Sequence, residues 1–161
     1  MEARPARAVV LGLGINGLGV VRSLGRAGIS VLGTWSAREE AGRLSRYTRP
    51  LRLTAERSSR ALDQLLDAMD GAGDRPPLFA TCDADAAWIN DQQDLLRKHF
   101  RFHAVDRELF GRLESKRGIV ELLREQGIEF PHTDHFETMQ QFEERAAALP
   151  MPLPTIAART G

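Results

Sequence analysis

The stretch Ala8-Val9-Val10-Leu11-Gly12-Leu13-Gly14-Ile15-Asn16-Gly17 narrows what this chain can fold into more than any other. Its apolar, β-branched start reads as a buried parallel strand rather than a half-exposed one. Glycines at 12, 14, 17 and 19 follow at once, and Val20, Val21, Leu24 and Ala27 then recur at helical spacing, with Gly28 as a C-terminal stop. Ile29–Thr34 supplies a second strand. Strand, glycine turn, helix and strand make a βαβ unit.

Arg38–Tyr47 reads as a short helix or loop, and Pro50–Leu53 as a short peripheral strand. Ala61, Leu62, Leu65, Leu66 and Met69 lie on one face of an amphipathic helix that ends in the breaker run Gly71-Ala72-Gly73-Asp74. Pro77–Thr81 returns to strand character. Asp83 or Asp85 can cap a helix through Trp88 and Ile89, Gln92–Phe100 continues helical, and Phe102–Val105 is a further strand. This alternation predicts an α/β fold, a Rossmann-like doubly wound, mostly parallel sheet with helices on both faces. Beyond Val105 helices take over, at Asp106–Leu113 and Lys116–Gln126, the latter stopped by Gly127. Asp134-His135-Phe136-Glu137 has capping-box spacing and starts a helix carrying Met139, Phe142, Ala146 and Leu149. Pro150–Pro154 and a short terminal strand, Thr155–Ala158, end a chain that reads as cut short inside a larger fold.

At 161 residues the chain is about one domain with a short appendage. Its 22 basic and 22 acidic residues balance, so no whole-chain field favours nucleic acid as a partner. No apolar stretch approaches the ~20 residues needed to cross a bilayer. Met1–Arg7 opens with charges rather than a secretory apolar run, and the single cysteine, Cys82, cannot form an internal disulfide. A reducing, cytoplasmic setting is expected.

Gly12 to Gly17 matches the G-x-G-x-x-G pattern, in which missing side chains let backbone approach a phosphate at the positive end of a helix. The carboxylate expected to hold the ribose is absent from the end of the second strand, Gly33-Thr34-Trp35-Ser36, whereas Ser36 and Arg38 could take a 2′-phosphate. The same glycines also serve a tight turn and close helix–strand packing, so both readings stay open. Asp83 falls at the carboxyl edge of a strand, where open α/β sheets bind ligands, and is equally a helix cap. Cys82 has no His or Lys neighbour in sequence and reads as a buried, inert thiol. His132, Asp134 and His135 do not complete a metal site, and no metal ligands are assigned. Only two basic residues are lysines, Lys98 and Lys116. Lys116 begins a helix, where a cation is mildly disfavoured by the dipole, and an anionic ligand would offset that; the alternative is a solvated surface lysine.

The order of the segments resembles a known family. Ala8–Leu24, then Ser45-Arg46-Tyr47, then Leu78-Phe79-Ala80-Thr81-Cys82-Asp83, then Glu114-Ser115-Lys116 through Gly127-Ile128-Glu129-Phe130-Pro131-His132-Thr133 looks like the start of an ATP-grasp ligase. The resemblance implies a pre-ATP-grasp domain at 1–112 and the incomplete beginning of the ATP-grasp module at 113–161. It implies ATP and Mg²⁺ as cofactors and an acyl phosphate made from a small carboxylate, which an amine attacks to give an amide. Lys116 matches the family lysine that contacts the ATP phosphates, and Gly12, Gly14, Asn16, Gly17 and Asp83 are candidates to face the carboxylate or amine. The family's strand lysine and proline are replaced by Ala157 and Ala158, ahead of Arg159-Thr160-Gly161. The Mg²⁺ ligands would lie beyond this segment, which alone is expected to turn over little or no ATP. An NADP-binding oxidoreductase domain and a non-catalytic binding or homodimerisation module are the alternatives.

Overall fold

A computed structural model describes residues 7–36, 40–53, 57–69, 75–131 and 133–146. The chain divides into two compact units, Met1–Glu114 and Ser115–Gly161.

The first unit is an α/β fold built on a four-stranded parallel sheet of order β3-β2-β1-β4. In chain order it contains β1 (Ala8–Val10), α1 (Ile15–Arg26), β2 (Val31–Trp35), a 3-10 turn (Ala41–Leu44), β3 (Thr48–Arg52), α2 (Ser59–Ala68), β4 (Leu78–Phe79), α3 (Asp83–Asp91), α4 (Gln93–Leu96) and α5 (Arg107–Leu113). Successive strand residues face opposite sides of a sheet, and the core separates accordingly. Val9 and Leu32 pack with Leu62, Leu65, Trp88, Ile89 and Leu96 of the later helices and with Phe100 beyond them on one side. Val10 and Val31 pack with Leu13 and with Val21 of α1 on the other. Both faces of the sheet are therefore covered, which is why its central strands are apolar without alternation.

The glycine after α1 ends the helix as expected. Gly28 has φ 75°, Ile29 N–H donates to Leu24 O at 3.1 Å and Gly28 N–H to Gly25 O at 3.1 Å. This is a Schellman closure, and only a residue at ease in left-handed backbone completes it without strain.

Several boundaries differ from those expected. β1 stops at Val10 because Gly12, at φ 72°, turns the chain. The peripheral strand is a full edge strand, β3, pairing with β2 from Thr48 to Arg52. Pro50 is accommodated there because an edge strand leaves one side without a ladder. The strand expected at Phe102–Val105 is absent; β4 has two residues, and pairing beyond it is reduced to one parallel bridge, Pro77 with Arg101. Phe102 packs against the core instead. The helical run Gln92–Phe100 is interrupted, leaving α4 as a single turn before the buried Phe100.

The second unit contains α6 (Lys116–Glu125) and α7 (Met139–Ala146). Ser115 caps α6, its hydroxyl accepting from Gly118 N–H at 2.9 Å. Gly127 repeats the left-handed closure, with Ile128 N–H donating to Leu123 O. The capping box expected at Asp134 is displaced by four residues. Thr138 Oγ1 accepts from Gln141 N–H at 3.2 Å, and Gln141 Oε1 reaches back to Glu137 N–H at 3.0 Å. Phe136 and Phe142 meet edge to face at 5.5 Å and fix the entry to α7. The Gly71–Asp74 breaker, the proline-rich Pro150–Pro154 and the Thr155–Ala158 strand lie outside the described residues.

Candidate ligand cleft at the carboxyl edge of the sheet

The strand order reverses between β1 and β4, since the chain leaves β3 on one side and returns to pair with β1 on the other. Open α/β sheets bind ligands beyond the carboxyl ends of their strands at such a point. A cleft of about 510 Å³ opens there.

The glycine turn forms one wall, and its three glycines differ in their surroundings. Gly12 takes the left-handed turn, with Thr81 and Asp85 side-chain oxygens 3.0 and 3.1 Å from where a Cβ would stand. A Cβ on Gly17 would lie 1.9 Å from Gly12 O, so that position is closed to any side chain. A Cβ on Gly14 would meet nothing within 4 Å, and this glycine faces the cleft. It is also the N-cap of α1 and supplies no side-chain cap, while the first turn holds no acidic residue. The amide of Asn16 donates to Thr81 O at 3.2 Å and ties the helix start to the end of β4, and Thr81 Oγ1 donates to Leu11 O at 2.7 Å.

Side chains already occupy the first two amides of the turn. Gly12 N–H donates to Thr34 Oγ1 at 3.2 Å, and Leu13 N–H donates to Glu40 Oε2. The other carboxylate oxygen of Glu40 accepts from Ser36 N–H at 2.9 Å and from Ser36 Oγ at 3.3 Å. Glu40 thus brings to the end of β2 a carboxylate that the strand's own sequence lacks. It lies four residues past Ser36, as the residue that opens the 3-10 turn, within which Gly42 N–H donates to Leu13 O at 2.9 Å. Trp35 stands beside it, its ring contacted by the guanidinium groups of Arg43 and Arg52 at 5.2 and 5.5 Å.

The opposite wall carries an ion pair. Arg57 Nη2 lies 3.0 Å from Asp85 Oδ1. Cys82 Sγ donates to Asp85 Oδ2 at 3.1 Å, and Arg57 Nη2 lies 3.7 Å from that sulfur. Arg57 holds φ 52°, a left-handed conformation rare for a residue with a side chain. Cys82 is exposed and lines the cleft, contrary to the buried thiol expected. It is also the N-cap residue of α3, with Asp83 first and Asp85 third in the helix, so neither aspartate is the cap.

Of the residues singled out in the sequence, Gly12, Gly14 and Asn16 line this cleft and Gly17 supports it from behind. Asp83 is exposed at the start of α3 and is not among the lining residues; Asp85, two positions on, is. Glu40, Arg57 and Asp85 have no local motif to mark them. Lys116 belongs to the second unit, is exposed, and forms no ion pair among the described residues. Arg38, His132, Ala157 and Ala158 lie outside the described residues. Among the described residues no three His, Cys, Asp or Glu side chains come together to hold a metal ion, and no helix is long and apolar enough to cross a membrane.

No family model, curated protein or solved structure matches the chain.

Proposed function

We propose that the chain is the N-terminal part of an ATP-dependent carboxylate–amine ligase of ATP-grasp type. In this reading the first unit offers its cleft to a small carboxylate or amine substrate, and the second begins the nucleotide-binding module. The observation that carries it is Lys116. Its ammonium stands at the first position of α6, where the helix dipole opposes it, no acidic residue shares that turn, and no ion pair compensates it among the described residues. Arg117 beside it is compensated, by Glu121 at 2.9 Å. An anion such as a nucleotide phosphate would offset the cost at position 116. The described residues do not fit Mg²⁺, for want of a clustered donor set, so no step through the metal is assigned to them. What Lys116 would supply is charge to the transferring phosphoryl oxygens, in a reaction whose catalysis is mostly positioning and charge neutralisation.

A second reading, a dinucleotide-binding domain, is favoured by Glu40. An acid at the end of the second strand suits a free ribose. It speaks against the NADP form, because Ser36 spends its hydroxyl and amide on that carboxylate and a 2′-phosphate would face it. Separate titrations with Mg²⁺-ATP, NADH and NADPH distinguish the readings. ATP binding weakened by Lys116→Ala supports the ligase; NADH binding unaffected by that change supports the dinucleotide domain.

A further inference from the structure

We infer that the cleft takes a substrate with a bulky apolar side chain, which it seats between α2 and α3 while the polar mouth holds the reacting group. This rests on the reading of the cleft as a carboxylate or amine site and adds which members of that class it admits.

The register of the sheet fixes the side on which the cleft lies. Val9 pairs with Leu32 and Thr34 with Leu51. The backbone bonds continue past the strand ends, from Leu11 N–H to Phe79 O and from Leu53 N–H to Trp35 O. Alternation then puts Leu11 on the side of Val9, and Leu53 on the side of Leu51. That is the side covered by Leu62, Leu65 and Trp88, whereas Val21 of α1 packs on the other. The cleft therefore runs from the glycine turn at its mouth to the space between α2 and α3, over a floor of Leu11, Leu53, Ala61, Leu65 and Trp88.

Polar side chains bordering this floor are engaged by the protein itself. Thr34 Oγ1 accepts from Gly12 N–H, Thr81 Oγ1 donates to Leu11 O, and Asp85 is held by Arg57 and Cys82. What the floor offers a ligand is apolar surface, and covering that surface removes it from water. Ala61 makes the room: the inward stripe of α2 continues with Leu62, Leu65, Leu66 and Met69, and a side chain of that size at position 61 would enter the cleft it lines. The chain has two tryptophans, and both, Trp35 and Trp88, line this cleft. Its volume of about 510 Å³ falls in the range of small-molecule pockets, roughly 300–1,000 Å³, which bind by apolar and aromatic contact with a few polar groups to orient the ligand. An acid or amine of two or three carbons would leave the floor uncovered.

The tryptophans supply the test, because quenching of their fluorescence reports on the cleft with no other indole in the chain. The 161-residue chain is titrated with 3-phenylpropionate, 3-phenylpropylamine and 3-phenylpropanol, and with propionate, propylamine and propanol. Either the phenyl acid or the phenyl amine should bind roughly tenfold or more tighter than its three-carbon parent, the scale of filling an apolar pocket. Ala61→Leu should abolish that gain, and Leu53→Gln should reduce it severalfold. Should Ala61→Leu lose its cooperative thermal transition, Leu53→Gln decides, since Leu53 is only half-buried and its bond to Trp35 O is backbone. Phenyl compounds that bind no tighter than their parents, or a gain that both variants leave intact, would overturn the inference. A phenyl alcohol that binds as well as the acid and the amine would leave the apolar floor standing while removing support for a carboxylate or amine substrate, so the two readings fail separately.

Discussion

The guanidinium of Arg57 and the carboxylate of Asp85 form a 3.0 Å ion pair in which the acid is nearly buried, at 10% side-chain exposure, and the base is one-third exposed, at 34%. The pair joins the start of α2 to the first turn of α3 and closes one side of the cleft. Removing the arginine leaves a desolvated carboxylate with the Cys82 thiol as its remaining described donor.

Arg57→Ala should therefore destabilise the protein by about 1–3 kcal/mol, the lower part of the range for a broken buried pair because water reaches the arginine. Arg57→Gly should be better tolerated by about 1 kcal/mol, since residue 57 is left-handed. Asp85→Asn removes the buried charge with the attraction and should cost less than Arg57→Ala. Urea denaturation of the three variants gives the order; equal losses in all three would contradict that order, and no loss in any would show that the pair contributes nothing.

The glycine turn divides sharply in what it tolerates. Gly17→Ala places a Cβ 1.9 Å from Gly12 O, which only a backbone shift relieves, and should cost about 3 kcal/mol or more, or abolish cooperative unfolding. Gly14→Ser meets open space in an extended N-cap conformation, at φ −64° and ψ −165°. It should leave stability unchanged or raise it by a few tenths of a kcal/mol, as a hydroxyl cap replaces glycine. Thermal melts of the two variants settle this point.

Tyr47 is the chain's one tyrosine, so its ionisation can be followed by absorbance without interference from another phenol. The hydrogen bond from Arg46 Nη2 to its hydroxyl, at 2.6 Å, lowers its pKa from the ordinary 10.0; burial opposes this, and the Arg46 charge and Arg26 add to the lowering. A phenol whose folded pKa is depressed stabilises the fold only as pH rises through that value, with the effect complete above the unfolded value near 10. The titration midpoint of the native protein should fall below that of the urea-unfolded chain, and Arg46→Ala should raise it. A midpoint indifferent to Arg46→Ala would contradict the assignment.

The α/β alternation was readable because each piece carried its own periodicity: the apolar strands at Ala8 and Ile29, the stripe from Ala61 to Met69, and the glycine stops at 28 and 127. The missing strand at Phe102–Val105 was not readable, because an apolar run of that length suits a strand or a core-packed loop equally, and β4 proved too short to template it. The start of α7 misled for a similar reason: Asp134 and Thr138 both offer capping oxygens, and the Phe136–Phe142 contact favours the later one. In the cleft, the glycines and Asn16 announced themselves by spacing. Glu40, Arg57 and Asp85 did not, since they come from three separate segments and come to line one cleft only through the sheet's crossovers.

Ser115 and Thr138 hold the starts of α6 and α7 through single hydroxyls. Ser115→Ala should cost about 1 kcal/mol of second-unit stability, and Thr138→Ala about the same. Amide hydrogen exchange in residues 116–125 and 139–146 reads each helix directly. Protection unchanged in both would mean that the caps are idle.

The proposed role of Lys116 at nucleotide phosphate is tested most directly by ADP release from the full-length ligase that the proposal implies, measured with Mg²⁺-ATP across a panel of carboxylates and amines. We predict ADP release that requires both an acid and an amine and falls roughly tenfold or more in Lys116→Ala, the scale of losing one charge-assisted phosphate contact. ADP release that Lys116→Ala leaves intact, or none with any pair of substrates, would contradict it.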